Sequence, residues 1–295
     1  MGLIACDVST SPFGVSCQGW SGRSAALSDA VCRMAESTTD SISPSRGLSA
    51  IDYAQRHPMN PRSRAALLVV VTLILAISAF ARDKVERRTF LFAGQPRTYF
   101  CLIPSAPSGP LPIVVLLHGS GNNGQQMTGA WSSLAATEHF IIAAPNALHS
   151  EMWDSDGDGP AFLHAVVSEI AAQHPVDPHH IYLFGHSAGA VYALGLALID
   201  SEYFAAVAGH AGALTPDNAA LFRYARRKMP IALWVGDEDS RVSVDAVNAT
   251  RDIFSAHGFS VRVTAIPFAG HAWDGPSADK VARSAWDFFR PLQLP

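Results

Sequence analysis

The chain has 295 residues, of which 48% are hydrophobic and 16% charged, with 21 basic against 25 acidic side chains. So apolar a composition excludes a largely disordered protein, and the thin charge content excludes a coiled coil. With an isoelectric point near 6.3, the sequence offers no basic patch to hold nucleic acid.

Residues 1–58 are rich in serine, hold Cys6, Cys17 and Cys32 of the four cysteines, and show no sustained helical or strand period. Met59-Asn60-Pro61-Arg62 then opens a different kind of segment. Arg62 and Arg64 precede an uncharged apolar run from Ala65 to Ala81, which ends in Ala79-Phe80-Ala81 before Arg82-Asp83-Lys84. A basic start, a short apolar stretch and a small-x-small ending are the pattern of a secretory signal peptide. Residues 59–81 are therefore read as a leader cleaved after Ala81, placing the protein in a secreted or periplasmic compartment. A retained membrane anchor is the alternative, because the run reaches the lower length limit of a spanning helix. Residues 1–58 are read as an extension that does not belong to the native folded protein, against the alternative of a cytosolic tail ahead of an anchor. Residues 82–295 form one domain whose single cysteine, Cys101, has no intramolecular partner.

Within that domain, Val85–Phe92 and Arg97–Ile103 alternate in polarity around Ala93-Gly94-Gln95-Pro96, which predicts an antiparallel hairpin. Apolar strand candidates follow at Ile113–Leu117, Phe140–Ala144, Ile181–Phe184, Ala205–Ala208, Ile231–Val235 and Val261–Ile266. Helical patterns separate them at 128–138, 160–173, 188–199, 216–226, 243–257 and 277–289. Strands that are apolar throughout are buried on both faces, as a parallel sheet between two helix layers requires. A hairpin leading into about six parallel strands predicts an α/β-hydrolase fold with a mostly parallel sheet. The 22 residues between Ala208 and Ile231 suffice for one helix and its loops, so no cap domain is expected and the site should be open.

The string Gly185-His186-Ser187-Ala188-Gly189 follows a predicted strand and opens a predicted helix. That is the context a nucleophile elbow needs, and it makes Ser187 the candidate nucleophile. An acid and a histidine should follow in that order. After the strand Ile231–Val235 stand Asp237, Glu238 and Asp239, and the G-x-x-D-x-x-V spacing from Gly236 to Val242 favours Asp239. Asp237 is the competing choice, with a turn cap as its other role. The last strand leads to Gly270-His271, where the base belongs, so His271 would take the serine proton and return it to the leaving group. The oxyanion donors would be the amide of Ala188 and, from His118-Gly119-Ser120-Gly121, the amide of Ser120. His118 is read as fixing that loop rather than as catalytic.

A wider resemblance now appears. Asp158-Gly159-Pro160-Ala161-Phe162-Leu163, Val176-Asp177-Pro178-His179-His180-Ile181-Tyr182, the elbow, Phe204-Ala205-Ala206-Val207-Ala208, and Gly270-His271-Ala272-Trp273 together resemble the secreted polyhydroxyalkanoate depolymerase and feruloyl esterase group. The resemblance covers about residues 85–290. It implies hydrolysis of short-chain, aryl or polymer-borne carboxylic esters through an acyl-serine intermediate, with no metal and no organic cofactor. Depolymerases of that group often carry a second cysteine framework and a substrate-binding appendage, neither of which is visible in this sequence.

Weaker signals remain. Asp154-Ser155-Asp156-Gly157-Asp158-Gly159 begins like a calcium loop, but the twelfth position is Ala165 rather than a carboxylate, so a solvated acidic loop is expected. Trp153, Trp273 and His186 are candidate substrate contacts, with core packing as the alternative for the two tryptophans. Arg226-Arg227-Lys228 reads as a solvated helix end. An ester substrate is the expected partner, with no nucleic acid and no stable membrane association after cleavage. The rival readings are a serine peptidase, an acyltransferase, or a noncatalytic binding protein on the same scaffold.

Overall fold

The computed structural model describes residues 83–105, 109–214 and 220–295. The expected leader, the extension before it and part of the expected helix 216–226 lie outside these residues. Among the described residues, no helix is long and apolar enough to cross a membrane.

Eight strands form one sheet: β1 (Glu86–Phe92), β2 (Gln95–Leu102), β3 (Leu111–Leu117), β4 (Ile141–Pro145), β5 (Val176–His186), β6 (Ala206–His210), β7 (Ile231–Gly236) and β8 (Val261–Ile266). Their spatial order is β1-β2-β4-β3-β5-β6-β7-β8. The expected hairpin is β1 against β2, in register from Glu86–Cys101 to Phe92–Gln95. β2 also pairs antiparallel with β4, and the six strands β3 to β8 run parallel. From β3 the chain moves outward to β4 and then returns to place β5 on the other side. The carboxyl ends of β3 and β5 therefore diverge at a topological switch point, where sheets of this kind open a crevice.

Period-two alternation divides the buried strand residues between two cores. Ile113, Val115, Leu117, Leu183, Val207 and Leu233 pack with helices α3 (Pro160–Ala171), α4 (Ala188–Ile199) and α5 (Val244–Ala256) on one face. Val114, Leu116, Tyr182, Phe184, Ala208 and Trp234 pack with α1 (Gly124–Glu138) and α6 (Gly275–Phe289) on the other. Helix α1 starts four residues before the apolar pattern suggests. Asn123 caps it by accepting the Gln126 N–H while the Gln126 side chain accepts from the Asn123 N–H, a complete capping box.

Two local expectations are corrected. The helix expected over 216–226 is, in its described part, a 3-10 turn at Ala220–Tyr224. Its far end is tied down instead of continuing: the Ser201 hydroxyl accepts the Arg226 and Arg227 N–H groups, and the Arg227 guanidinium donates to the carbonyls of Ser201, Phe204 and Ala205. Arg227 is thus a tie to the start of β6 rather than part of a solvated helix end. The acidic loop is likewise not simply solvated. Asp158, which closes the short helix α2 (Ser155–Asp158), is fully buried against Arg97 of β2 and accepts the N–H groups of Leu148 and Asp154. Arg97 also donates to the carbonyls of Gly157 and Asn146, and its guanidinium lies over the Phe162 ring.

This pair anchors the whole 146–159 loop to the antiparallel edge of the sheet. Removing one member of a buried pair leaves the other charge uncompensated, which costs about 3–5 kcal/mol. Asp158→Ala should lose stability of that order in urea unfolding, and a loss well under 1 kcal/mol would contradict the anchoring role.

Candidate active site

Three backbones meet where β5 turns into α4. A Cβ placed on Gly185 would lie 2.2 Å from the carbonyl oxygen of Gly189, and one placed on Gly189 would lie 2.3 Å from that of Leu117 at the end of β3. No side chain fits at either position. The chain reverses between them by holding Ser187 at φ 52°, ψ −117°, a conformation that costs an ordinary residue on the order of 1–3 kcal/mol. The Ser187 N–H donates to the carbonyl of His210 at 2.9 Å, which pins the turn to β6. The serine side chain is left projecting at the carboxyl edge of the sheet.

His271 and Asp239 arrive from the loops after β8 and β7. The Ser187 Oγ lies 2.9 Å from His271 Nε2, and His271 Nδ1 lies 2.9 and 3.1 Å from the two Asp239 carboxylate oxygens. The Asp239 side chain is fully buried and that of His271 nearly so. Burial alone would raise the Asp239 pKa, but the N–H groups of Val242 and Arg241, together with His271, outweigh it and hold the carboxyl below its ordinary range. Asp239 therefore stays ionised and fixes His271 with its proton on Nδ1, leaving Nε2 as an acceptor toward the serine hydroxyl.

Asp237, the competing acid, points elsewhere. It accepts the Phe268 N–H at 2.7 Å, and the Glu238 N–H donates to Ala269 at 3.0 Å. These bonds clamp the acid loop to the histidine loop, whose Phe268 carries φ 58°. The turn-capping role is thus the one Asp237 fills.

Of the two expected oxyanion residues, Ala188 follows the serine in the chain and Ser120 lines the same cavity as Ser187. Ala188 is the first residue of α4, where no intrahelical acceptor exists. The Ser120 amide likewise donates to nothing among the described residues. Behind Ser120, His118 is buried, with Nδ1–H donating to the Gly119 carbonyl at 2.8 Å and Nε2 accepting the Ala147 N–H at 3.1 Å. Burial depresses its pKa, so the ring stays neutral and the loop-fixing reading holds. The Trp153 indole N–H donates to the His118 carbonyl at 2.8 Å, and the ring stacks on Tyr192.

A cavity of about 740 Å³ opens over Ser187 and His271, lined among others by Gly119, Ser120, Asn122, His186 and Trp273. Of the candidate substrate contacts, His186 and Trp273 therefore reach the cavity. Trp153 is not among its lining residues, and the expectation of a substrate contact there is corrected to a buried support behind the oxyanion loop. Nothing local in the sequence marks His210, whose Nδ1 lies 3.1 Å from that of His186.

A mostly parallel sheet carrying a strained serine elbow at its switch point defines an α/β-hydrolase. Within that class, residues 132–289 match the dienelactone hydrolase family, and the chain belongs to it. It is 33% identical over 167 residues to a Nocardia uniformis subsp. tsuyamanensis protein described as "Putative esterase NocK", covering 52% of this chain and 48% of that one. It is 29% identical over 167 residues to poly(3-hydroxyalkanoate) depolymerase C of Paucimonas lemoignei, covering 50% of this chain and 39% of the relative. The chain thus spans less than half the length of these curated relatives. Among solved structures, a ferulic acid esterase from Anaeromyces mucronatus superposes with a TM-score of 0.59 at 15% identity, covering 71% of this chain and 90% of the other. That likeness shows the shared fold.

Burial, then the neighbouring histidines, push the His186 pKa down to about 3; burial and His271 push that of His210 down to about 4. Both lie below the ordinary value of 6.5. The unfolded chain then binds protons that the folded one refuses, so their contribution is full above pH 6.5 and is lost as pH falls toward 4 and 3. Urea midpoints should decline across that window, with a shallower slope in His210→Phe. An unchanged slope would refute the linkage.

Proposed function

We propose that the protein is a secreted carboxylic-ester hydrolase acting through an acyl-serine intermediate. The observation that carries this reading is the unbroken chain from Ser187 Oγ through His271 to Asp239, with both contacts at 2.9 Å. His271 takes the hydroxyl proton as Ser187 attacks the ester carbonyl, and Asp239 stabilises the imidazolium that forms. The amides of Ala188 and Ser120 donate to the oxyanion of the tetrahedral intermediate. Collapse expels the alcohol, which leaves with the proton from His271. Water, activated by the same histidine, then releases the acid and restores the serine.

The esterase and depolymerase relatives support esters as the substrate class. The open cavity, whose lining mixes polar groups with Met127 and Trp273, supports short-chain, aryl or polymer-borne esters. Residues 59–81 supply the export signal in this reading.

Turnover of p-nitrophenyl acetate and butyrate and of methyl ferulate tests it. Ser187→Ala should reduce kcat by on the order of 10³–10⁶-fold. Asp239→Asn should reduce it by about 10⁴-fold, whereas Asp237→Asn, which keeps an acceptor for the Phe268 N–H, should cost less than about tenfold. A folded wild-type protein inert on all three esters would overturn the reading. An equal loss in the two aspartate variants would overturn the assignment of Asp239.

A further inference from the structure

An amide N–H is aimed by the carbonyl on the other side of its own peptide, because a trans peptide is planar and points the two in opposite directions. For the Ser120 amide that carbonyl belongs to Gly119. It accepts from His118 Nδ1–H at 2.8 Å and from the Asn122 N–H at 3.1 Å. One peptide earlier, the His118 carbonyl accepts the Trp153 indole N–H at 2.8 Å, and no other donor bonds it among the described residues. The same oxygen would lie 2.7 Å from a Cβ on Gly189. It is therefore wedged between the indole and the elbow, touching both halves of the expected oxyanion hole.

The indole is itself held firmly. Trp153 is 8% exposed, and its ring lies between His118 and Tyr192, with centroids 4.9 and 5.8 Å away. The next N–H in the chain, that of Asp154, donates to Asp158 at 3.0 Å, and Asp158 is paired with Arg97 of β2. Two further bonds tie this segment to the oxyanion loop: the Ala147 N–H donates to His118 Nε2, and the Gly121 N–H donates to the Ser150 carbonyl at 3.0 Å. Of the three ties, only the indole's holds the carbonyl that meets the elbow. A phenylalanine would fill much of the same space and bring no donor. The His118 carbonyl would then be a buried acceptor without a partner, which favours rotation of its peptide toward another donor.

We propose that Trp153 is a positioning residue for the oxyanion hole. By holding the His118 carbonyl, its indole N–H fixes the peptides that aim the Ser120 amide and keeps that amide in register with the Ala188 amide across the elbow. Trp153 touches no substrate and acts only through the loop. Its effect is confined to states that carry a charged oxygen, the tetrahedral intermediates of acylation and deacylation. This rests on the ester-hydrolase reading and adds to it the group that sets one of its donors.

The test uses the full chain with Trp153 replaced by 3-benzothienylalanine, which keeps the bicyclic shape but carries sulfur in place of N–H, and with Trp153→Phe as a second variant. In each, kcat for p-nitrophenyl butyrate and methyl ferulate should fall about tenfold, short of the roughly 10²–10³-fold loss that removing a whole oxyanion donor causes. KM should stay within about twofold, because the lost interaction acts on the transition state alone. Affinity for a trifluoromethyl ketone, whose serine hemiketal places an oxyanion in the same hole, should weaken by the factor by which kcat falls. Tyr192→Phe, which keeps the stacked ring and removes a hydroxyl that bonds nothing, should leave kcat and ketone affinity unchanged. Unchanged kcat in the benzothienyl protein, a loss expressed in KM, a fall in kcat without a matching loss of ketone affinity, or an equal loss in Tyr192→Phe would each overturn the proposal. Wild-type protein that turns over neither ester would instead overturn the ester-hydrolase reading.

Discussion

The close approach of three backbones at the elbow is the constraint on which the rest of the site depends. β3, β5 and α4 meet at Gly185 and Gly189 with no room for a Cβ, and the chain can reverse there only by holding Ser187 at positive φ. That conformation persists because its surroundings over-determine it. The helix N-terminus begins at Ala188, the Ser187 N–H is bonded to β6, and the Gly119 loop presses against His186 from the other side. Relaxing the serine would require moving strands that are buried on both faces, so the reactive hydroxyl is held by the core itself.

The remaining groups are held by clamps between loops rather than by the core. One clamp joins the acid and histidine loops through Asp237 to Phe268 and Glu238 to Ala269. The other runs from Arg97 through Asp158 to the 146–159 loop, then through Trp153 to the His118 carbonyl behind Ser120. The second clamp links the antiparallel edge of the sheet to the oxyanion loop, which gives the β1–β2 hairpin a bearing on the site although it supplies no residue to it. In the proposed reaction such support would let the Ala188 and Ser120 amides meet a developing charge without reorganising, where electrostatic stabilisation is most effective.

How much of this was legible depended on whether the signal was local. Ser187, Asp239 and His271 each follow a strand within a few residues, and a strand end followed by a short motif places its side chain with little help from elsewhere. The sheet was readable for the same reason, since its central strands are apolar throughout. The Asn123/Gln126 capping box was present as a sequence signal and would have moved the start of α1 to its observed place. β5 begins at Val176, earlier than its apolar part, because Asp177 to His180 form a polar lead-in and the pairing shifts register between Leu111 and Ile113. Asp158 looked like a loop carboxylate because its partner, Arg97, lies 61 residues away. Trp153 looked free to face a substrate because the turn that buries it depends on that same distant pair. His210 carries no local mark at all, and only strand order brings it beside His186.

The central claim is that Ser187 is made nucleophilic by His271. The most direct measurement is to treat the folded protein with a fluorophosphonate and locate the adduct by mass spectrometry. One phosphonyl group on Ser187, with labelling slowed by orders of magnitude in His271→Ala, is the predicted result. An unlabelled Ser187, or equal labelling in the histidine variant, would contradict it.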